Sequence, residues 1–189
     1  MQPPWALDSS TVIRPLEAAD ASAMFRLIQE NRNHLDRWLR WSGSLTSLEK
    51  VAEFIDRFQA RKSAGEGYHC GIWVNERLAG GQVCWYINRH NQNCEIGYWL
   101  GAEFVGRGLA TRATITAIEY LFDDEKLNRI EMQCGVQNTR SRAVAERLGF
   151  HNEGIRRESH WITSRFVDHV VYGLLVAEWK RESPEAGAD

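Results

Sequence analysis

Residues 106–111 read Gly106-Arg107-Gly108-Leu109-Ala110-Thr111. They stand between a strand-like run, Ile96 to Leu100, and a helix-like run, Leu109 to Phe122. A glycine-rich turn that opens a helix presents backbone N–H groups with no intrahelical acceptor, and the helix dipole adds partial positive charge. Such a turn suits a phosphate or a diphosphate, so the sequence predicts a phosphorylated ligand held in mid-chain. Two common phosphate loops do not fit. The dinucleotide fingerprint needs Gly at position 111, where Thr stands, and it belongs to the first βα turn of a doubly wound sheet. A Walker loop needs a following Gly-Lys-Ser/Thr, which this segment lacks.

Working outward, Thr11 to Leu16, Tyr68 to Val74, Leu78 to Asn88 and Cys94 to Leu100 read as strands ahead of the turn. Arg129 to Val136, Gly154 to Ile162 and Phe166 to Ala177 read as strands behind it. Helices are expected over Ala21 to Asn33 behind Asp20, over Leu35 to Trp41, and after a Thr46/Glu49 capping box with Val51, Phe54, Ile55 and Phe58 inward. Another is expected over Thr139 to Leu148, stopped by Gly149. Residues 78–88 return antiparallel to 68–74. The helix between Leu100 and Arg129 makes a parallel crossover. The expectation is a single mixed α/β domain over residues 1–182, with a polar, frayed tail at 183–189.

Composition narrows the function. A chain of 189 residues with 43% hydrophobic residues fills one core and is short for two. A net charge of -2 gives no bulk attraction to nucleic acid or anionic lipid. No apolar run approaches the ~20 residues of a membrane span. Met1 to Asp8 lacks a basic segment leading into an apolar one, so no export signal is expected. Cys70, Cys84, Cys94 and Cys134 form no Cys-x-x-Cys pair and read as buried reduced thiols. The histidines are scattered, so no metal is expected, and the whole pattern fits a cytoplasmic protein.

Beyond these inferences the chain resembles the GCN5-related N-acetyltransferase (GNAT) superfamily. Gly108-x-Ala110 matches the second half of its Q/R-x-x-G-x-G/A motif, and Asn138-Thr-Arg-Ser141 through Leu148-Gly149-Phe150 looks like its second motif. Three further segments are similar to the RimJ/RimL branch: Asn33-His-Leu35-Asp-Arg-Trp38-Leu39-Arg-Trp41, Glu95-Ile-Gly-Tyr-Trp-Leu100 and Asp168-His-Val-Val-Tyr172. The resemblance implies a mostly antiparallel sheet of about seven strands, flanked by helices and splayed between strands four and five, with acetyl-CoA in the gap and no metal. It implies that the amides of Val105, Gly106, Arg107, Gly108, Leu109 and Ala110, with the Thr111 hydroxyl, hold the diphosphate. Pantetheine would run along Trp99 and Leu100, and Asn138 would touch it or cap its own helix. A primary amine is the implied acceptor: the α-amino group of a protein N-terminus, such as a ribosomal protein's, or a small amine, a polyamine or an aminoacyl antibiotic. A homodimer is a further association of the family.

The sequence departs from the pattern at two places. Val105 replaces the motif's first Gln/Arg, and Ala145 stands where the superfamily often has a proton-donating Tyr. These keep open a rival reading, a CoA-binding sensor without turnover. Glu95 is the candidate base, against a solvated strand-end carboxylate. Ser141 is the candidate donor or positioner at the sulfur, against a helix-start hydroxyl. His160 is a second candidate base, against a half-exposed strand histidine. Trp38 and Trp41 read as core packing or as a wall of the acceptor cleft, and Asp168 as an ammonium site or a structural hydrogen bond. Arg107, Arg112, Arg140 and Arg142 crowd the two motifs, where guanidinium groups could meet phosphates.

Overall fold

The computed structural model describes residues 3–182, so the tail expected at 183–189 lies outside the described residues. The strands are β1 (Trp5–Ala6), β2 (Thr11–Pro15), β3 (Tyr68–Val74), β4 (Arg77–Asn88), β5 (Asn93–Leu100), β6 (Arg129–Gly135), β7 (His151–Ile162) and β8 (Arg165–Leu175). The helices are α1 (Ala21–Glu30), α2 (Arg32–Leu35), α3 (Leu48–Ser63), α4 (Leu109–Glu119), α5 (Thr139–Arg147) and α6 (Val176–Glu182). One sheet runs in the order β1-β2-β3-β4-β5-β6-β8-β7. Its strands are antiparallel except β5 and β6, which run parallel because α4 joins them. The consecutive burial of Leu78 to Cys84 shows that both faces of β4 are covered. α1 and α3 pack on each other and on the β3–β4 region, while α4 packs on β4 and β5.

The feature that positions the site is a fork. β5 pairs with β6 from Asn93↔Arg129 to Ile96↔Met132 and no further. Beyond it, Gly97 to Leu100 pair only with β4, and Gln133 to Gly135 only with β8. Alternate peptide groups on each inner edge therefore face a gap rather than a partner strand. The closed end is held firmly: Asn128 and Arg129 both donate backbone N–H to the Gln92 carbonyl, at 2.8 and 3.1 Å. Beside it the Arg129 guanidinium bridges Glu131 at 3.0 Å and Glu153 at 2.7 Å.

Several elements differ from the sequence reading. The sheet has eight strands rather than about seven; β1 is two residues long, too short to carry a period. The helix expected over Leu35 to Trp41 is a single turn ending at Leu35. Side chains there hold an irregular loop instead: Arg32 donates to the Ser42 and Leu45 carbonyls at 3.1 and 2.9 Å, and the Ser42 hydroxyl donates to Asp36 at 2.7 Å. The cap of α3 is Ser47, which accepts from the Lys50 N–H, not Thr46. Asp20 precedes α1 but turns back to Arg14 and to the Glu17 N–H. α4 ends in a π-turn at Tyr120–Asp124. β7 begins three residues early, and the last strand stops at Leu175 because α6 follows.

Ile130, fully buried on β6, packs the closed end of the fork. Ile130→Ala is expected to cost about 2–5 kcal/mol, measured by urea unfolding, through lost burial and the cavity left behind. A loss under about 1 kcal/mol would show that this strand is not part of the central core.

Candidate active site

The glycine turn has the geometry of an anion seat. Gly106 and Gly108 sit at φ 84° and 73°, a left-handed conformation that costs an L side chain about 1–2 kcal/mol per residue. A Cβ at either would meet nothing within 4 Å, so glycine is required by the backbone and the space above the turn is open. None of the amides from Gly106 to Thr111 has a backbone acceptor among the described residues; the first helical bond runs from Arg112 N–H to the Gly108 carbonyl. Val105 precedes the turn in extended conformation, and its N–H is already bonded to Ala102. Leu109 is buried in the core and Ala110 half-buried, so they anchor the helix while their N–H groups face outward. The Thr111 hydroxyl accepts from Arg147 at 3.2 Å. Of the four nearby arginines, Arg112 pairs with Asp8 at 2.6 Å and Arg142 donates to the Tyr172 hydroxyl at 3.0 Å. Arg107 and Arg140 are exposed and form no ion pair among the described residues.

The fork opens into a cleft of about 110 Å³. Of the candidates from sequence it brings together Glu95, Trp99, Asn138, Ser141, His160, Trp38 and Trp41. Glu95 comes from β5 at the register of Glu131 on β6, and its carboxylate accepts from Gln133 at 3.0 Å. Burial first, and then the Glu131 charge, raise its pKa; Arg40, the Gln133 bond and Arg156 oppose the rise. Ser141 lies on the first turn of α5, its N–H bonded to the Asn138 side chain at 3.2 Å, so Asn138 is the helix cap and also lines the cleft. The His160 ring lies tilted against His169, at 3.9 Å between ring centroids. Burial, His169, Arg40 and Arg156 push its pKa down to about 4, so the ring is neutral at pH 7.

The tryptophans are set by packing and still face the cleft. Trp99 is buried, and its indole donates to His69 at 3.1 Å. Gly81 permits that approach, since a Cβ there would fall 2.5 Å from the same indole nitrogen. Trp41 stacks on Phe54 at 5.2 Å and meets Trp99 edge-on at 5.5 Å, while the Trp38 ring lies against Gly135. Their shared helical face does not exist, because the helix has already ended. Leu100 is buried and is not in the cleft wall. Nor is Asp168, whose carboxylate accepts from the Glu158 N–H at 2.7 Å and braces a bulge in β7.

These features coincide with a family signature: residues 11–151 match the acetyltransferase (GNAT) domain. The chain belongs to the GNAT family of acetyl-CoA-dependent N-acetyltransferases. It is 36% identical over 171 residues to YdaF of Bacillus subtilis (strain 168), provisionally named a ribosomal N-acetyltransferase, covering 90% of this chain and 93% of that one. It is 33% identical over 179 residues to the ribosomal protein uS5-alanine N-acetyltransferase of Escherichia coli (strain K12), covering 89% of each. A structure of RimL, a ribosomal L7/L12 α-N-protein acetyltransferase in complex with coenzyme A, has a TM-score of 0.86 at 22% identity, over 90% of this chain and 96% of RimL. At that identity the likeness speaks to the fold.

Sequence reasoning missed a dozen residues of the cleft wall, of which four bear on the chemistry. Tyr98, Gln133, Cys134 and His169 all line the cleft beside the predicted ones. Tyr98 and Gln133 lie just past the fork, and only knowledge of where pairing stops would have marked them. His169 could have been found from strand alternation, since it shares a face with Val167, the register partner of His160. Among the described residues no cluster suited to a metal occurs and no helix is long and apolar enough to cross a membrane.

Glu95 ionises against its surroundings. A carboxyl with a raised folded pKa contributes stability in full below the ordinary carboxylate range and loses it as pH rises through the folded value. Glu95→Gln is therefore expected to stabilise the protein at pH 7, on the order of 1 kcal/mol by urea unfolding, with the gain shrinking on acidification. A gain that grows toward low pH would contradict the assigned cause.

Proposed function

We propose that this protein acetylates the α-amino group of a protein N-terminus, with the ribosomal-protein acetyltransferases among its relatives as a precedent. The observation that carries this reading is the set of features at the open fork: amides without acceptors at the glycine turn that follows β5, an unpaired inner edge on β5, and Ser141 and Glu95 in one cleft. The diphosphate of acetyl-CoA would rest on the amides of Gly106 to Thr111, with exposed Arg140, and Arg107 lying over the Phe104 ring, placed to meet its phosphates. Pantetheine would lie as a pseudo-strand against Gly97 to Leu100, the thioester pointing at Ser141.

The chemistry required of the protein is modest. An α-ammonium of pKa near ~8 leaves a fair neutral fraction at pH 7, whereas a lysine near ~10.4 leaves very little. A base matched to that task has a pKa moved toward neutrality. Glu95 is moved that way, whereas His160, held down to about 4, is a weaker base than an unperturbed imidazole. Glu95 is accordingly the proposed base, directly or through one water. Gln133 donates to Glu95 while its own Oε1 is buried without a partner, ready to accept from the incoming amine. Attack forms the C–N bond. Collapse of the adduct breaks the C–S bond, with its electron pair passing to sulfur beside Ser141.

Polyamines find little negative charge here, because Glu95 is the one carboxylate lining the cleft among the described residues and Arg40 and Arg156 lie within its field. Trp38 and Trp41 offer flat apolar walls suited to the first residues of a peptide.

The test is a panel of peptides with free N-terminal Ser or Ala, polyamines and small amines, followed by thiol release and product mass. α-Acetylated peptides are expected, with Glu95→Gln lowering kcat by roughly 10²-fold at neutral pH and flattening the acidic limb of the pH profile. Product from polyamines alone, or tight acetyl-CoA binding with no acetylated product from any acceptor, would overturn the proposal.

A further inference from the structure

The departing thiolate needs a hydrogen-bond donor, and the helix position where the superfamily often carries a Tyr holds Ala145, fully buried in α5. A phenol is nonetheless present, delivered from the other arm of the fork. Tyr98 follows the last β5–β6 pair by two residues, and its hydroxyl lies 3.1 Å from Ser141 Oγ. We infer that Tyr98 is a positioning residue: it donates to Ser141 Oγ and thereby turns the Ser141 hydroxyl hydrogen toward the coenzyme A sulfur. This rests on the acetyl-CoA reading above.

The direction of that bond follows from counting donors and acceptors. A serine hydroxyl has one hydrogen and two acceptor positions. Two donors converge on Ser141 Oγ: the Tyr98 phenol and the Cys134 thiol, whose sulfur lies 3.5 Å away. Burial keeps both protonated, raising the Tyr98 pKa to about 12 and that of Cys134 above its usual value. Ser141 is the hydrogen-bond partner the Tyr98 hydroxyl has among the described residues. If Ser141 donated to Tyr98 instead, the phenol hydrogen would be left in the wall with its desolvation uncompensated. With both acceptor positions filled, the Ser141 hydrogen has no further acceptor among the described residues and is left for the cleft. The Asn138 cap on the Ser141 N–H holds the helix turn beneath it.

In the reaction the C–S bond breaks and its electron pair goes to sulfur. The Ser141 hydrogen bond stabilises that thiolate, which then takes its proton from solvent or from the protonated base. Tyr98 keeps its own proton throughout, as a phenol held near 12 should against a thiol near ~8.5.

The experiment is the titration of the coenzyme A thiol bound to the full chain, followed by ultraviolet thiolate absorbance as a difference between coenzyme A and acetyl-CoA complexes. Wild type is expected to lower the bound thiol's pKa, and Tyr98→Phe to raise it again by about one unit, a roughly tenfold loss of thiolate at a given pH. Ser141→Ala should do the same, and Tyr98→Phe should add nothing in that background. Turnover should fall about tenfold in kcat for Tyr98→Phe with KM for acetyl-CoA within about twofold. A fluorotyrosine at position 98, a stronger donor of nearly the same shape, should lower the bound thiol's pKa further and guards against a folding defect. Coenzyme A that binds wild type and Tyr98→Phe with identical thiol titration would overturn the role of Tyr98 while leaving the acetyl-CoA reading intact. No binding of coenzyme A to wild type would remove that reading and this inference with it.

Discussion

Pairing between β5 and β6 stops after Ile96 and Met132, and the working parts of the molecule follow from that interruption. Unpaired strand edges inside a domain are costly unless something satisfies them. Here each arm has a reliable outer neighbour, β4 for one and β8 for the other, so the gap does not unravel the sheet. The closed end is locked by two backbone bonds to Gln92 and by the Arg129 cluster. The open end leaves two inner edges unpaired, with the glycine turn and α4 following one arm and Asn138, the cap of α5, following the other.

A second constraint keeps the cleft in shape. His69 is buried and its pKa falls to about 3, so it is a neutral acceptor for the Trp99 indole. That bond, Trp41 on Phe54 and the edge contact between Trp41 and Trp99 tie the irregular 36–47 loop to the sheet. The loop can then present Arg40 and Trp38 to the cleft without being helical. Packing and site-building are therefore the same contacts for Trp41 and Trp99, so for Trp41 the contrast between core residue and cleft wall is a false choice.

Long elements with a clear period were legible in the sequence: the hairpin of β3 and β4, the strand before the glycine turn, α4, and α5 with its terminal glycine. Glycines 106 and 108 were legible as a turn opening a helix, and the structure holds both in a left-handed conformation. The second helix was misread because the spacing of Leu35, Trp38, Leu39 and Trp41 satisfies a helical period, while Arg32 and Ser42 form tertiary bonds that end the helix. Glu95, Ser141 and Asn138 could be nominated from motifs that carry them at fixed offsets. Tyr98 and Gln133 could not, because their importance comes from meeting Ser141 and Glu95 across a fork between segments some forty residues apart, and Cys134 could not, because its contact with Ser141 depends on how β6 leads into α5. Asp168 stood in a recognisable segment, yet its carboxylate braces the β7 bulge, a role that depends on register and leaves no local sequence signal.

The account stands on the coupling of the glycine-turn amides to the inner edge of β5 through one bound molecule. Backbone amide NMR during an acetyl-CoA titration tests it most directly. The largest shifts are expected at Gly106 to Thr111 and at Gly97 to Leu100, saturating together at one ligand per chain. Saturable binding that leaves both segments unmoved, and shifts amides elsewhere, would contradict the assignment of the fork as the coenzyme site.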